Sequence, residues 1–150
     1  MRRNFSLYTL AIIGMLLWGC SPKLTLKKEI QSVYNNWNSF SKNKDFKNLF
    51  ALIHTDFTYT DETGKVETRD KFIERVRFAI TNSRNIDYKA EILDLKENGI
   101  RVISNIIYSI NLEFQQGDKW IPMNQKIKTS EIFIKENGNW LLISSKVLTN

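Results

Sequence analysis

The feature that most constrains the fold is a long alternation of apolar and polar residues in the second half of the chain. Apolar side chains occupy the even-numbered positions from Ile100 to Phe114, with Ser104 as the main exception. Because successive side chains of a β-strand point to opposite faces, this spacing predicts one long strand with an apolar face. Ile103 and Ile107 make the other face partly apolar, so we expect a sheet covered on one side and partly covered on the other.

Turn residues divide the remainder of that half into hairpins. Gly99, Gly117 and Gly138 each lie in a short polar segment between strand-like runs, where the backbone needs a positive φ. This arrangement favours antiparallel hairpins over parallel β-α-β units.

The first half of the chain has helical spacing instead. Apolar residues recur there at intervals of three and four: Leu26, Ile30, Val33, Trp37 and Phe40. This stripe predicts an amphipathic helix with Thr25 as its N-cap. Asp45 and Thr68 are expected to cap two further helices, and the β-rich run 54–61 predicts a strand between them. The whole pattern predicts an α+β fold, with three N-terminal helices packed on a curved antiparallel sheet.

Residues 1–19 have the layout of a secretory signal, with a positive start and an apolar run too short to span a membrane comfortably. The segment Leu17-Trp18-Gly19-Cys20 resembles the lipobox of bacterial lipoproteins. That resemblance implies removal of residues 1–19, lipidation of Cys20 and anchoring to a membrane of the bacterial cell envelope, at the outer membrane or facing the periplasm. Residues 20–24 would then form a short tether and 25–150 the domain. An uncleaved hydrophobic anchor is the alternative.

Composition excludes several classes of function. One cysteine and one histidine rule out a disulfide framework, a cysteine zinc cluster and a multi-histidine metal site. The formal net charge is +6, but no run of five or more like charges occurs, and export would separate the chain from nucleic acid. No glycine-rich phosphate loop or nucleophile motif is present. We therefore expect no metal, no cofactor and no nucleic-acid partner.

The order of elements resembles the cone of the nuclear transport factor 2-like, or SnoaL-like, domains. The residues that carry the resemblance are Tyr34 and Trp37 in the first helix, Lys44-Asp45-Phe46, and the run 54–64. The closing segment 132–144 is similar to the ending of the calcium/calmodulin-kinase-association group. Such scaffolds include isomerases, dehydratases, cyclases, association domains and binders, so the site and not the fold must decide the function.

The resemblance implies an apolar pocket between the first helix and the sheet. We expect its ligand-binding residues to be Tyr34, Trp37, Phe57, Tyr59, Tyr108 and Met123. Further candidates for the lining are Phe40, Tyr88 and Trp140. Any single aromatic residue is more often plain core, but a buried tyrosine hydroxyl needs a partner that a ligand can supply.

Three functions fit these residues. We favour an anchored domain that binds a small apolar or amphipathic ligand, or an envelope partner, without catalysis. An acid/base isomerase or dehydratase would use His54 or Asp56 with Tyr59, although strand alternation places His54 and Asp56 on the face opposite Tyr59. A structural association domain, homodimeric through the partly apolar sheet face, is the third.

Overall fold

The computed structural model describes residues 22–149, which form three helices and one six-stranded sheet. The helices are α1 (Pro22–Lys42), α2 (Phe46–Ala51) and α3 (Arg69–Thr81). The strands are β1 (Ile53–Thr60), β2 (Val66–Thr68), β3 (Ser83–Asn98), β4 (Arg101–Gln116), β5 (Lys119–Glu136) and β6 (Asn139–Val147), in the spatial order β2-β1-β6-β5-β4-β3. The predicted α+β cone, with three helices before a curved sheet, is confirmed.

The helices begin close to their predicted starts, with one correction. α1 starts at Pro22, so residues 22–24 are helical and not a tether, and Thr25 lies inside the helix. Proline suits the first turn of a helix, because the backbone N–H that proline lacks would have no hydrogen-bond partner within the helix at that position. Asp45 caps α2 as predicted, since its carboxylate accepts a hydrogen bond from the Asn48 amide at 3.2 Å. Thr68 precedes α3 but its side chain makes no capping hydrogen bond.

The sheet contains the three predicted antiparallel hairpin pairs, a short antiparallel pair of β1 with β2, and one pair that the turn residues did not predict. β1 runs parallel to β6, with Thr58 opposite Ser144. The prediction of a purely antiparallel sheet is wrong at this point, because α3 and four strands separate β1 from β6 along the chain, so no tight turn joins the two. Ile100 is also not on the apolar face: β4 starts at Arg101, which leaves Ile100 in the turn with 71% of its surface exposed.

The core lies between α1 and the concave face of the sheet. Ile30 of α1, Ile106 of β4 and Phe133 of β5 are almost completely buried, and Phe57 of β1 closes one side. Burying each such side chain contributes roughly 1.5–3 kcal/mol. Tyr34 packs edge-on against Phe133, with ring centroids 5.7 Å apart. Beyond Tyr34, a cavity lies between the helices and the sheet.

The predicted signal 1–19 and Cys20 lie outside the described residues. Within residues 22–149, none of the helices combines the length and the apolar character that crossing a membrane requires.

Candidate functional site

A pocket of ≈ 370 Å³ lies between α3, the middle of α1 and the concave face of the sheet, and we call it the inner pocket. Most of its lining is aromatic or aliphatic, in the size range of small-molecule sites. The lining residues are Trp37, Tyr59, Phe72, Arg75, Val76, Ala79, Tyr88, Tyr108, Ile110, Leu112, Met123, Gln125, Ile127, Thr129, Glu131, Leu142, Ser145 and Val147.

A buried carboxylate, Glu131, belongs to this lining. Strand register places it between Ser104 of β4 and Ser145 of β6, and only 2% of its surface is exposed. Its Oε1 accepts hydrogen bonds from Ser145 Oγ at 3.2 Å and, more weakly, from Thr129 Oγ1 at 3.5 Å. Its Oε2 is buried and has no hydrogen-bond partner among the described residues. Native proteins rarely leave such an atom unsatisfied.

The environment of Glu131 disfavours its charged form. Burial raises the pKa of its carboxyl to about 7, although the hydroxyls of Tyr34, Ser145 and Thr129 act in the opposite direction. In the part of the chain that the structure describes, no basic side chain lies within 4 Å of this carboxylate. Both protonation states are therefore populated near neutral pH.

Three buried or half-buried tyrosines lie in this region, and two of them, Tyr34 and Tyr108, are close enough to Glu131 for its charge to act on them. The Tyr34 hydroxyl donates to Ser104 Oγ at 3.2 Å, and the Tyr34 ring meets Tyr108 edge-on with centroids 5.8 Å apart. Burial raises the pKa of Tyr34 and of Tyr108, and the nearby Glu131 raises both further. Burial also raises the pKa of Tyr88. All three phenols stay protonated at neutral pH.

A stacked arginine borders the inner pocket on the α3 side. The Arg75 guanidinium lies 4.7 Å from the centroid of the Tyr59 ring and 5.2 Å from that of Phe72. Its Nη2 donates to Glu67 Oε2 at 2.9 Å, so its charge is already paired. Arg75 and Glu131 are the two charged residues of the lining. No three metal-ligating side chains cluster anywhere in residues 22–149.

Comparison with known proteins identifies the family of this domain. The profile of the SnoaL-like domain matches residues 30–147, which is most of the chain. The chain belongs to the SnoaL-like domain family. A search of curated protein sequences gives no match.

Solved structures similar to this SnoaL-like domain share its fold at low identity. An NTF2-like protein from Cytophaga hutchinsonii aligns with a TM-score of 0.66 at 14% identity, covering 83% of this chain and 98% of that one. A candidate calcium/calmodulin-dependent kinase II association domain from Exiguobacterium sibiricum gives 0.65 at 9%, covering 83% and 95%. A candidate dehydratase of the NTF2-like family from Streptomyces avermitilis gives 0.64 at 13%, covering 82% and 94%. The sequence resemblance to NTF2-like and SnoaL-like domains is confirmed.

The SnoaL-like domain brings most of the predicted ligand-binding residues together. Trp37, Tyr59, Tyr108 and Met123 line the inner pocket, and Tyr88 joins them. Two predicted residues do not reach it. Tyr34, with 5% of its surface exposed, and Phe57, with 2%, lie in the core. Tyr34 nevertheless affects the inner pocket, because its hydroxyl acts on the pKa of Glu131, which lines that pocket.

The two other aromatic residues that were candidates for the lining lie in a second cleft. It lies on the outer side of α1, against α2 and β6, and we call it the outer cleft. Phe40 and Trp140 line it together with Glu29 and Lys135. The Trp140 indole donates to Glu29 Oε2 at 2.6 Å, so this tryptophan belongs to a surface network and not to the inner pocket.

The candidate catalytic residues are not assembled into one site. His54 accepts a hydrogen bond at Nδ1 from the Asp56 amide at 3.0 Å, and its Nε2 lies 3.1 Å from Glu136 Oε1. Neither His54 nor Asp56 is among the residues of the inner pocket, whereas Tyr59 is. The alternation of β1 explains the separation, because even-numbered and odd-numbered residues point to opposite faces.

Sequence reasoning missed Glu131, although a signal for it exists. Ile127, Thr129, Glu131 and Phe133 are all odd-numbered residues of β5, and Phe133 is core. The same alternation that identified the apolar face of β4 therefore places Glu131 inward. Ser104, the polar exception in β4, lies directly opposite it in the register.

Proposed function

We propose that this domain binds one small, largely apolar molecule that carries a hydrogen-bond donor, in the inner pocket. The observation that carries the proposal is that Glu131 lines the inner pocket while its buried Oε2 has no hydrogen-bond partner among the described residues. An unsatisfied acceptor in an apolar cavity costs free energy that a ligand donor recovers. The aromatic walls supply apolar contact area, which is typical of small-molecule sites.

Native mass spectrometry of the protein purified from its own host tests the proposal. We expect a co-purifying molecule whose adduct is lost in Trp37→Ala, because Trp37 lines the inner pocket. Trp140→Ala is the matched control, since it removes the same ring from the outer cleft. Equal loss of the adduct in both variants, or an adduct that survives both, would contradict the proposal.

Acid/base catalysis of an isomerase or dehydratase type is the second candidate, and one observation favours it. A carboxyl with a pKa of about 7 exchanges protons readily at neutral pH, and neutral tyrosines beside it can stabilise an oxyanion. Glu131 with Tyr108 then replaces the predicted pair of His54 or Asp56 with Tyr59. The fold of the candidate dehydratase from Streptomyces avermitilis is compatible with this chemistry.

Hydrogen exchange distinguishes catalysis from binding. If Glu131 removes a carbon-bound proton, the co-purified molecule incubated with the protein in D2O gains deuterium, and Glu131→Gln abolishes the gain. If the native protein binds the molecule but the molecule gains no deuterium, catalysis by Glu131 is contradicted and ligand binding alone is supported.

We also propose that Cys20 is lipidated and holds the domain at a membrane of the bacterial cell envelope. The lipobox-like sequence supports this, and α1 begins at Pro22, with exposed lysines 23, 27 and 28 in its first turns. Lysines close to a membrane each add about 1 kcal/mol of attraction to anionic lipid. Labelling cells with an alkyne fatty acid should tag the native protein but not Cys20→Ser, and a tagged variant would refute the anchor.

The convex face of the sheet supports a proposed homodimer. Ile103 of β4 pairs with Ile132 of β5, and Ile134 of β5 pairs with Leu141 of β6, so four apolar side chains share that face. Sedimentation at micromolar concentration should give a dimer that Ile103→Lys dissociates. Ile100→Lys, at an exposed turn, is the control and should stay dimeric. A monomeric native protein would remove the proposal.

A further inference from the structure

We infer that the molecule held in the inner pocket is a monocation, whose protonated amine pairs with the Glu131 carboxylate and whose apolar body packs on the aromatic walls. The inference rests on the proposed function, because it specifies the ligand class of the same pocket.

The charge balance of the inner pocket gives the first reason. Its lining contains one basic residue, Arg75, and one acidic residue, Glu131. Arg75 is already paired with Glu67, Nη2 to Oε2 2.9 Å. Glu131 has no basic group within 4 Å among residues 22–149. A buried carboxylate without a counter-ion is strongly unfavourable, so a cationic ligand supplies the partner that the protein lacks.

The hydrogen bonds of Glu131 give the second reason. Ser145 and Thr129 use only Oε1, the nearby Tyr34 hydroxyl donates to Ser104 Oγ, and Oε2 has no donor in hydrogen-bond geometry in the described part of the chain. An ammonium group satisfies this oxygen and neutralises the charge at once, and charge-assisted hydrogen bonds are about twice as strong as neutral ones. A neutral hydroxyl satisfies the hydrogen bond but leaves the charge uncompensated.

The aromatic walls give the third reason. Rings of Trp37, Tyr88 and Tyr108 line the cavity that contains Glu131. Aromatic faces attract cations, tryptophan most strongly. Two other rings of the same pocket already hold a cation in this way, since Arg75 lies over both Tyr59 and Phe72.

Five other ionisable groups line the inner pocket or contact Glu131. They are Tyr34 from α1, Tyr59 from β1, Arg75 from α3, Tyr88 from β3 and Tyr108 from β4. The pKa of each tyrosine is raised above its ordinary value, so all four phenols stay neutral between pH 6 and pH 8, and Arg75 is paired with Glu67. Ionisation of Glu131 is therefore the change that a pH series across this range reports from the pocket.

Calorimetric titration with three related probes tests the inference: 4-phenylbutylamine, 4-phenylbutan-1-ol and butylbenzene. With a pKa of about 7, the ionised fraction of Glu131 rises about tenfold from pH 6 to pH 8, and amine affinity should rise by the same factor. Butylbenzene affinity should stay constant. This series uses the native protein and needs no variant.

Variants sharpen the test at pH 8. Glu131→Gln should weaken the amine by about 10- to 100-fold, the range of a charge-assisted hydrogen bond, and change the alcohol by less than about threefold. Glu91→Gln removes the same charge at an exposed position outside the lining and should change neither. Equal binding of amine and alcohol by the native protein, or amine affinity that falls from pH 6 to pH 8, overturns the monocation. Failure of all three probes to bind overturns the proposed function together with it.

Discussion

Two of the clefts beside α1, the inner pocket and the outer cleft, each contain a glutamate, but the two carboxylates have opposite environments. In the outer cleft, Glu29 Oε2 accepts hydrogen bonds from Lys135 Nζ at 2.8 Å and from the Trp140 indole at 2.6 Å. These two donors lower the pKa of Glu29. In the inner pocket, Glu131 has no basic neighbour within 4 Å among the described residues, and burial raises its pKa to about 7.

The difference separates a structural carboxylate from a functional one. Glu29 is satisfied by its own protein, so it has little interaction left to offer a ligand. Glu131 Oε2 has no hydrogen-bond partner among the described residues, although it is buried in a largely apolar site. This lowers the stability of the folded domain, and a ligand that donates a hydrogen bond to Glu131 would recover that free energy. Proteins tolerate such local conflicts mainly where function requires them. The following predictions test this contrast by perturbing each cleft in turn.

The largest effect is expected from the core beside the inner pocket. Phe133→Ala should lower the free energy of unfolding by about 3–5 kcal/mol, because Phe133 is 1% exposed and packs on Tyr34, so its loss leaves a cavity. Urea unfolding measures the change. Trp140→Ala, in the half-exposed outer cleft, should lower the free energy of unfolding clearly less than Phe133→Ala. Equal losses would mean that the two clefts do not differ in packing.

The next effect is the pH dependence of stability at Glu131. Its pKa is about 7 in the folded protein and 4.5 in the unfolded chain, so the folded state binds more protons between these values. The contribution of Glu131 to stability is therefore complete below pH 4.5 and is lost as pH rises through 7, a change of roughly 3 kcal/mol.

Urea unfolding between pH 4.5 and pH 8 measures that change. Glu131→Gln should remove the decline, so that the variant becomes the more stable protein at pH 8. A variant that follows the native pH curve throughout would show that Glu131 titrates normally.

A smaller effect is expected at the polar contact behind the inner pocket. Ser104→Ala should lower the free energy of unfolding by about 1–3 kcal/mol, because it leaves the buried Tyr34 hydroxyl without its acceptor. Scanning calorimetry gives the change. Ser32→Ala, on the exposed face of α1 in the outer cleft, is the control and should be nearly neutral. A neutral Ser104→Ala would indicate that Tyr34 transfers its hydrogen bond to Glu131.

The smallest effect is expected at Glu29. Glu29→Gln should cost less than about 1 kcal/mol, as is usual for exposed ion pairs. Its pH dependence has the opposite sign to that of Glu131. The stabilisation is present above the pKa of the unfolded state and is lost as pH falls through the lowered folded pKa. Denaturant unfolding near pH 7 and near pH 3 measures it, and a larger effect at pH 3 would contradict the assignment.

The fold was predictable because its signals are local. The three-four spacing of α1 and the alternation of β4 each depend on neighbouring residues, and Asp45 caps α2 for the same reason. The parallel pairing of β1 with β6 was not predictable in this way. This pairing depends on packing between segments far apart in sequence, and no turn residue in the sequence indicates it.

The inner pocket was only half predictable. Large aromatic residues on the correct faces identified most of its walls, including Trp37 and Tyr108. Its most informative residue, Glu131, was missed because a single glutamate is usually solvent-exposed. The alternation of inward and outward residues along β5 shows that Glu131 faces inward. Only the three-dimensional arrangement shows that no basic side chain of the described residues lies within 4 Å of Glu131.

The parallel contact between β1 and β6 affects the order in which the domain can form. β1 has two neighbours in the sheet, the three-residue β2 and the final strand β6. During synthesis, β1 therefore waits for residues 139–147 before it gains its main partner, whereas the β3–β4 hairpin can pair much earlier. A chain cut before Asn139 would lack the strand that joins β1 to β5, so β1 and β2 would have no hydrogen-bonded connection to the rest of the sheet.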